Sequence, residues 1–229
     1  KPSFRINELR IAPSFDGRFY LIIGMLFYLA FIKVTFPKYF SNVFQLIFQS
    51  PIRQKQTREQ LQQNNLASLF SNILFILNAS IFVSLIAVKN GWVDLSLYSC
   101  IAYSAVGFTA LYLFKFLFLW LSGWLFSQGE AIGNYSFIVF LTNKVMGVFL
   151  IPAILLLAFS PESVQDFAYN SALIVISIFF VYRYLVSFSI VRASLKVSAF
   201  HFFLYLCTCE VLPMLVLYKL TMDFISGTF

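Results

Sequence analysis

The chain has 229 residues, of which 60% are hydrophobic, 20% aromatic and only 11% charged. A soluble domain carries about 25% charged residues, so a water-covered globule is excluded and lipid becomes the second solvent. The net charge of +7 does not point to nucleic acid, because the basic residues stand at the ends of apolar blocks, where they orient spans and meet anionic headgroups. The length suits one transmembrane domain over residues 1–229.

Residues 1–18 form a polar tail with Arg5, Arg10 and Arg18, and no short apolar core with a small-residue cleavage site follows it, so no cleavable signal peptide is expected. Residues 19–34 predict a first span, short but flanked by Arg18 and Lys33, which can snorkel. Residues 36–65 then combine an amphipathic helix with a polar loop. Phe36, Phe40, Val43, Phe44, Ile47 and Phe48 recur at helical spacing with polar residues between them. The natural place for Phe36, Phe40, Phe44 and Ile47 is the membrane interface, buried among acyl chains; the competing reading packs this helix on other helices of the protein. Residues 51–65 carry Arg53, Lys55, Arg58, Glu59 and several glutamines and belong in water. Residues 66–88 are a second span with Asn78 in its middle, ended by the Asn90-Gly91 turn.

Residues 95–126 are too long for one straight span, and Lys115 divides them. Residues 97–114 serve as the third span. The pieces 116–126 and 135–141, around a polar turn with Gly129 and Gly133, are too short to cross a bilayer as helices. They predict a re-entrant or interfacial hairpin over 116–143, with Phe116, Trp120 and Trp124 on one face as aromatic anchors. The alternative is one long span over 134–159, holding Asn143 and Lys144 near its middle. Residues 145–159 are the fourth span, with Pro152 inside it. Residues 167–181 are the core of the fifth, with Arg183 just past it, and residues 200–220 are the sixth, with His201, Glu210 and Pro213. The expected fold is an all-α integral membrane bundle of about six transmembrane helices, an interfacial amphipathic helix and, if the short pieces pair, a re-entrant hairpin. No internal repeat marks the two halves of a transporter.

The loops alternate in charge. Those after the first, third and fifth spans hold most of the basic residues, and the loop after the fourth holds Glu162 and Asp166 and no basic residue. The positive-inside rule puts the odd loops in the cytoplasm. The basic N-terminal tail then falls on the outer side, against the rule.

Ionisable groups within a membrane are costly, about 2.5–3.5 kcal/mol at a helix centre, so each is a functional candidate. Glu210 is the foremost, three residues before Pro213, whose ring removes the donor for the Cys209 carbonyl. Its same-face neighbours, Leu206, Cys207, Pro213 and Met214, include no strong hydrogen-bond donor. Its partner must lie on another helix, in water, or in its own proton; Lys115, Lys144 and Arg183 are the available cations. A structural role as helix glue outweighs a proton relay, because buried charges are generally paired. Asn143-Lys144 is the second candidate: in a hairpin Lys144 snorkels to the cytoplasmic surface, and in one long helix it is buried and needs an acid, Glu210 foremost. Pro152 and Pro213 are candidate helix kinks. One histidine and three cysteines, Cys100, Cys207 and Cys209, make neither a zinc site nor a disulfide framework. No metal ligand set, cofactor motif or catalytic residue is expected, and the enzymatic templates find no match.

Three stretches carry a family resemblance: FPKYFSNVFQLIF at 36–48, NKVMGVFLIP at 143–152 and HFFLYLCTCEVLPMLVLYK at 201–219. Together they resemble a Bacteroidota multi-pass membrane family catalogued as domain of unknown function 4271. Cys209 departs from that pattern, where a larger apolar residue precedes the glutamate. The resemblance implies the inner membrane of a Gram-negative bacterium, assigns no activity, and aligns Glu210, Pro213, Asn143 and Lys144 with the family's motif positions.

The leading expectation is a non-enzymatic subunit of a cell-envelope complex, with secretion or gliding machinery brought in by association alone. Its partners would be the lipid bilayer and other membrane proteins or a second copy of itself. The rival is a small transporter or proton-coupled channel using Glu210. A lipid-modifying enzyme with its site among Lys144, Arg183 and Arg192 is the third.

Overall fold

The computed structural model describes residues 16–48, 61, 64–125 and 129–194. Those residues form six α-helices and no strand: α1 (Asp16–Thr35), α2 (Pro37–Phe48), α3 (Asn65–Lys89), α4 (Leu97–Leu125), α5 (Gly129–Phe159) and α6 (Glu162–Ser194). Every one except α2 is long and apolar enough to cross a membrane, which makes five candidate spans among the described residues. The chain is a multi-pass α-helical membrane protein. The sixth predicted span, residues 200–220 with His201, Glu210 and Pro213, lies outside the described residues.

α3 and α5 form the centre and are mostly buried, whereas α1, α4 and α6 surround them and present apolar side chains outward. Phe27, Val106 and Ile174 are 76%, 70% and 60% exposed. Side chains this apolar facing outward on three helices belong against acyl chains. With no hydrophobic force between helices in lipid, close packing and hydrogen bonds must hold the centre. Gly147 of α5 supplies the first: a Cβ built there would lie 2.9 Å from the Phe75 Cα of α3. Asn78 of α3, fully buried, supplies the second by donating from Nδ2 to the Gly147 carbonyl at 2.8 Å. α1 joins α3 through the Tyr28 hydroxyl, which donates to the Phe70 carbonyl at 3.1 Å. The α3–α4 turn uses Gly91 at φ +64°, a conformation that glycine adopts without strain.

Two expectations change. The separate short pieces of a hairpin over 116–143 are not formed. Residues 116–125 continue α4, a helix of 29 residues, and residues 129–143 are the first half of α5, a helix of 31 residues. The alternative of one long helix holds, and it starts five residues earlier than expected. Lys115 does not end α4, because it is half-buried and engaged in an interaction of its own. Gly129 opens α5 instead of breaking it, and Gly133 sits on α5 with open space around it. Leu119 packs with Ile132, Tyr135 and Val139 and joins the two helices beyond the centre of the bundle. Trp120 and Trp124 are 63% and 73% exposed on α4. Pro152 lies inside α5 on an outward position, where the helix continues through it despite the missing donor to Val148.

The second change concerns α2. Its most buried side chains are Tyr39, Val43 and Leu46, which cluster with Leu141 and Val145 of α5. Phe36, Phe40, Phe44 and Ile47 flank that stripe and are half-buried, with Phe36 stacked on Phe70 of α3 at 6.2 Å. The apolar face therefore turns onto the bundle, and the competing reading describes it. The Tyr182 hydroxyl of α6 donates to the Ile47 carbonyl at 3.2 Å and fixes the end of α2.

The glycine contact yields a test. Gly147→Ala should lower the thermal midpoint in detergent, by an overpacking cost of about 1–3 kcal/mol, because its nearest neighbour is backbone. Gly24→Ala, with nothing within 4 Å, should melt like the wild type or slightly above it.

Candidate functional site

α5 runs antiparallel to both α4 and α6 and parallel to α3, so the start of α3, the end of α4 and the start of α5 share one end of the bundle with α2. Among the described side chains, all four acids, Asp16, Asp94, Glu162 and Asp166, lie at the opposite end. There Lys89 pairs with Asp166, an exposed pair in high dielectric worth about 0–1 kcal/mol. Lys33 and Lys38 lie at the α2 end, and Lys144 and Arg183 are buried toward it.

Lys144 is 8% exposed. A helical side chain leans toward its own N-terminus, so Lys144 reaches toward the α2 end. Its Nζ donates to the Tyr39 hydroxyl of α2 at 2.9 Å and to the Ser68 hydroxyl of α3 at 2.7 Å. The same Nζ stands 5.7 Å from the centre of the Tyr39 ring, within cation–π range. Burial pushes the Tyr39 phenol up to about 12, against which the Ser68 hydroxyl acts. Tyr39 thus meets the ammonium as a neutral hydroxyl and not as a phenolate. Among the described residues no carboxylate forms an ion pair with Lys144.

Asn143 precedes Lys144 by about 100° of helical turn and points to α4, where its Nδ2 donates to the Tyr112 hydroxyl at 2.9 Å. Tyr112 is wedged between Phe75 and Phe140, at ring separations of 5.7 and 5.3 Å. Arg183 of α6 is 4% exposed, hydrogen-bonded to Tyr135 and within electrostatic reach of Tyr112. Its guanidinium lies 5.6 Å from the centre of the Phe180 ring. Stacking and hydroxyl partners let a guanidinium stay inside a low-dielectric bundle.

A groove of about 680 Å³ runs beside Lys144 between α3, α4 and α5, with Tyr39 of α2 at its end. That volume is typical of a ligand site. Besides Lys144 and Tyr39, Asn65, Ser68, Asn72, Thr109, Tyr112 and Ser136 supply its polar lining, and the rest is apolar. The buried Oδ1 of Asn72 has no hydrogen-bond partner. The lining offers one ammonium, hydroxyls and carboxamides, which is the chemistry of holding an anion or a polar group. No group of three or more histidine, cysteine or acidic residues suits a metal ion among the described residues, and Cys100 is a buried free thiol.

Of the residues the sequence singles out, the fold brings Asn143 and Arg183 toward Tyr112, while Lys144 bonds Tyr39 and Ser68 and lines the same groove as Tyr112. Lys115 stands on α4 three residues past Tyr112. Glu210 and Pro213 lie outside the described residues. Tyr39, Ser68, Asn72, Tyr112 and Tyr135 are the residues that sequence reasoning missed. The one available signal was a hydroxyl or carboxamide within an apolar helical face.

A bundle of this kind, with two buried cations, defines a polytopic membrane protein with a polar site inside its helices. The chain matches the model of the family described as domain of unknown function (DUF4271) over residues 18–221, and it belongs to that family. No curated protein and no solved structure matches it.

The Lys144 network gives a second test. Tyr39→Phe keeps the ring and removes an acceptor from a buried ammonium. It should lower stability in detergent by about 1–3 kcal/mol. Tyr20→Phe, at a site 72% exposed, should leave the melting curve unchanged.

Proposed function

We propose that the protein is a non-enzymatic subunit of a cell-envelope complex in the bacterial inner membrane, and that the groove beside Lys144 receives an acidic group. The observation that carries this reading is Lys144, buried with two neutral hydroxyl partners and no carboxylate among the described residues. Removing a charge from water costs several kcal/mol, and hydroxyls return only part of that, so an anion is the natural complement. The positive-inside rule makes the α2 end cytoplasmic. Secretion or gliding machinery is the class of complex that the family resemblance suggests by association.

The test is purification of the full chain in mild detergent, with a photo-crosslinking residue in place of Phe116 at the groove mouth. A stable partner and a crosslink to it are expected, both weakened about tenfold or more by Lys144→Met, the loss of one charged hydrogen-bond donor. A wild-type protein that is solely monomeric and forms no crosslink overturns the reading.

A second reading, a small transporter or proton-coupled channel using Glu210, draws support from the polar side chains Asn72 and Thr109 that line the groove. In that case Glu210→Gln abolishes function at unchanged abundance. Equal loss of abundance and function assigns Glu210 to helix pairing instead.

A further inference from the structure

The groove has two chemically different halves. At the α2 end Lys144, Tyr39 and Ser68 form a triangle in which the ammonium donates to both hydroxyls. An ammonium brings three hydrogens and each hydroxyl one. Two of these five are used inside the triangle, which leaves one ammonium N–H and the two hydroxyl protons to donate outward. The site thus has surplus donors and a buried positive charge, with Lys33, Lys38 and Arg183 toward the same end. Ser68 lies in the first turn of α3, so the triangle is at the level where that span enters the bilayer. The other half of the groove is apolar and extends along Ile73, Ile76, Leu113 and Phe140 toward the bilayer middle. Its mouth opens sideways between α3 and α4, where Leu69, Leu113 and Phe116 are 55%, 65% and 58% exposed. In a spanning bundle this exposure faces acyl chains, not water.

We propose that this groove binds an anionic glycerophospholipid. Its phosphate accepts from Lys144 and from the hydroxyls of Tyr39 and Ser68, and one acyl chain lies in the apolar half between α3 and α4. A basic pocket between transmembrane helices is the general form of an anionic headgroup site. A carboxylate from a protein helix would satisfy the triangle but leave the apolar half unfilled; a phospholipid matches both. The inference rests on the groove as an acceptor of anions, and not on membership of a complex.

Native mass spectrometry of the full chain in mild detergent tests it, with phosphatidylglycerol, diacylglycerol and inorganic phosphate as probes. Phosphatidylglycerol should remain bound with about tenfold or greater preference over diacylglycerol, for the loss of charged hydrogen bonds. Lys144→Met should remove that preference, Lys144→Arg should keep most of it, and Leu113→Trp should block entry of the chain. Because Leu113 is at the exposed mouth, that variant remains informative if Lys144→Met does not fold. Equal retention of phosphatidylglycerol and diacylglycerol, or retention undiminished in Lys144→Met and Leu113→Trp alike, overturns the proposal. Inorganic phosphate competing as strongly as phosphatidylglycerol also overturns it, since the acyl half then contributes nothing. If lipid selectivity is absent while Lys144→Met still breaks the partner crosslink, the acidic group comes from protein and only the lipid inference fails. If the crosslink is also indifferent to Lys144, the reading of the groove fails with it.

Discussion

Where Gly147 meets Phe75, the backbones of α3 and α5 approach so closely that a single methyl group would collide with a Cα atom. Asn78 adds a side-chain bond to the carbonyl of the same glycine. In water such an amide would gain little, but in hydrocarbon an unpaired carboxamide has no solvent to turn to. Together these contacts fix not only the distance between the two central helices but also their register. Lys144 is three residues from Gly147 on α5, and Ser68 is seven residues from Phe75 on α3. A slip of one helical turn, about 5.4 Å, would carry the ammonium out of reach of Ser68. The polar network is therefore a consequence of the glycine contact, and α1, α2, α4 and α6 pack around a pair whose alignment is already set.

The two lysines that bind partners across helices show how position decides what an ion is worth. Lys89 and Asp166 meet in the open at one end, where water solvates each of them well without the other. Lys144 is removed from water and cannot return to it without disturbing α2, whose Tyr39 covers it. Its surroundings are neutral, so the positive charge is delocalised only through hydrogen bonds and the face of an aromatic ring. That arrangement is tolerable when an anion is near and strained when none is.

Much of the fold is legible in the residues. The apolar blocks at 19–34 and 66–88 become α1 and α3 with boundaries shifted by a few residues. The extents of α4 and α5 are less legible, for a definite reason. Lys115 is a charge inside an apolar block and Gly129 and Gly133 are weak helix formers, but here Leu119, Ile132, Tyr135 and Val139 pack the two helices together beside them. Tertiary packing overrides local propensity. The site was legible only in part. Asn143 and Lys144 interrupt an apolar pattern and so call attention to themselves. Tyr39 and Ser68 do not, because tyrosine passes for an apolar residue in a periodic face and serine is unremarked in a span. Their bonds to Lys144 join residues 105 and 76 positions apart, and no local pattern encodes such a separation.

The unequal lengths of the helices have a consequence for the surrounding bilayer. α1 has 20 residues and α5 has 31, so they rise about 30 Å and about 46 Å, beside a hydrocarbon layer of about 30 Å. One flat membrane cannot match both. The longer helix must tilt, or project from the surface, or draw the lipid around it into a thicker annulus, each at a fraction of a kcal/mol per ångström of mismatch. The protein therefore meets lipid along a short helix, α1, on one side and along a longer one, the 29-residue α4, on another. Its stability should follow the acyl-chain length of the membrane that holds it, with a broad optimum set by compromise between its two sides.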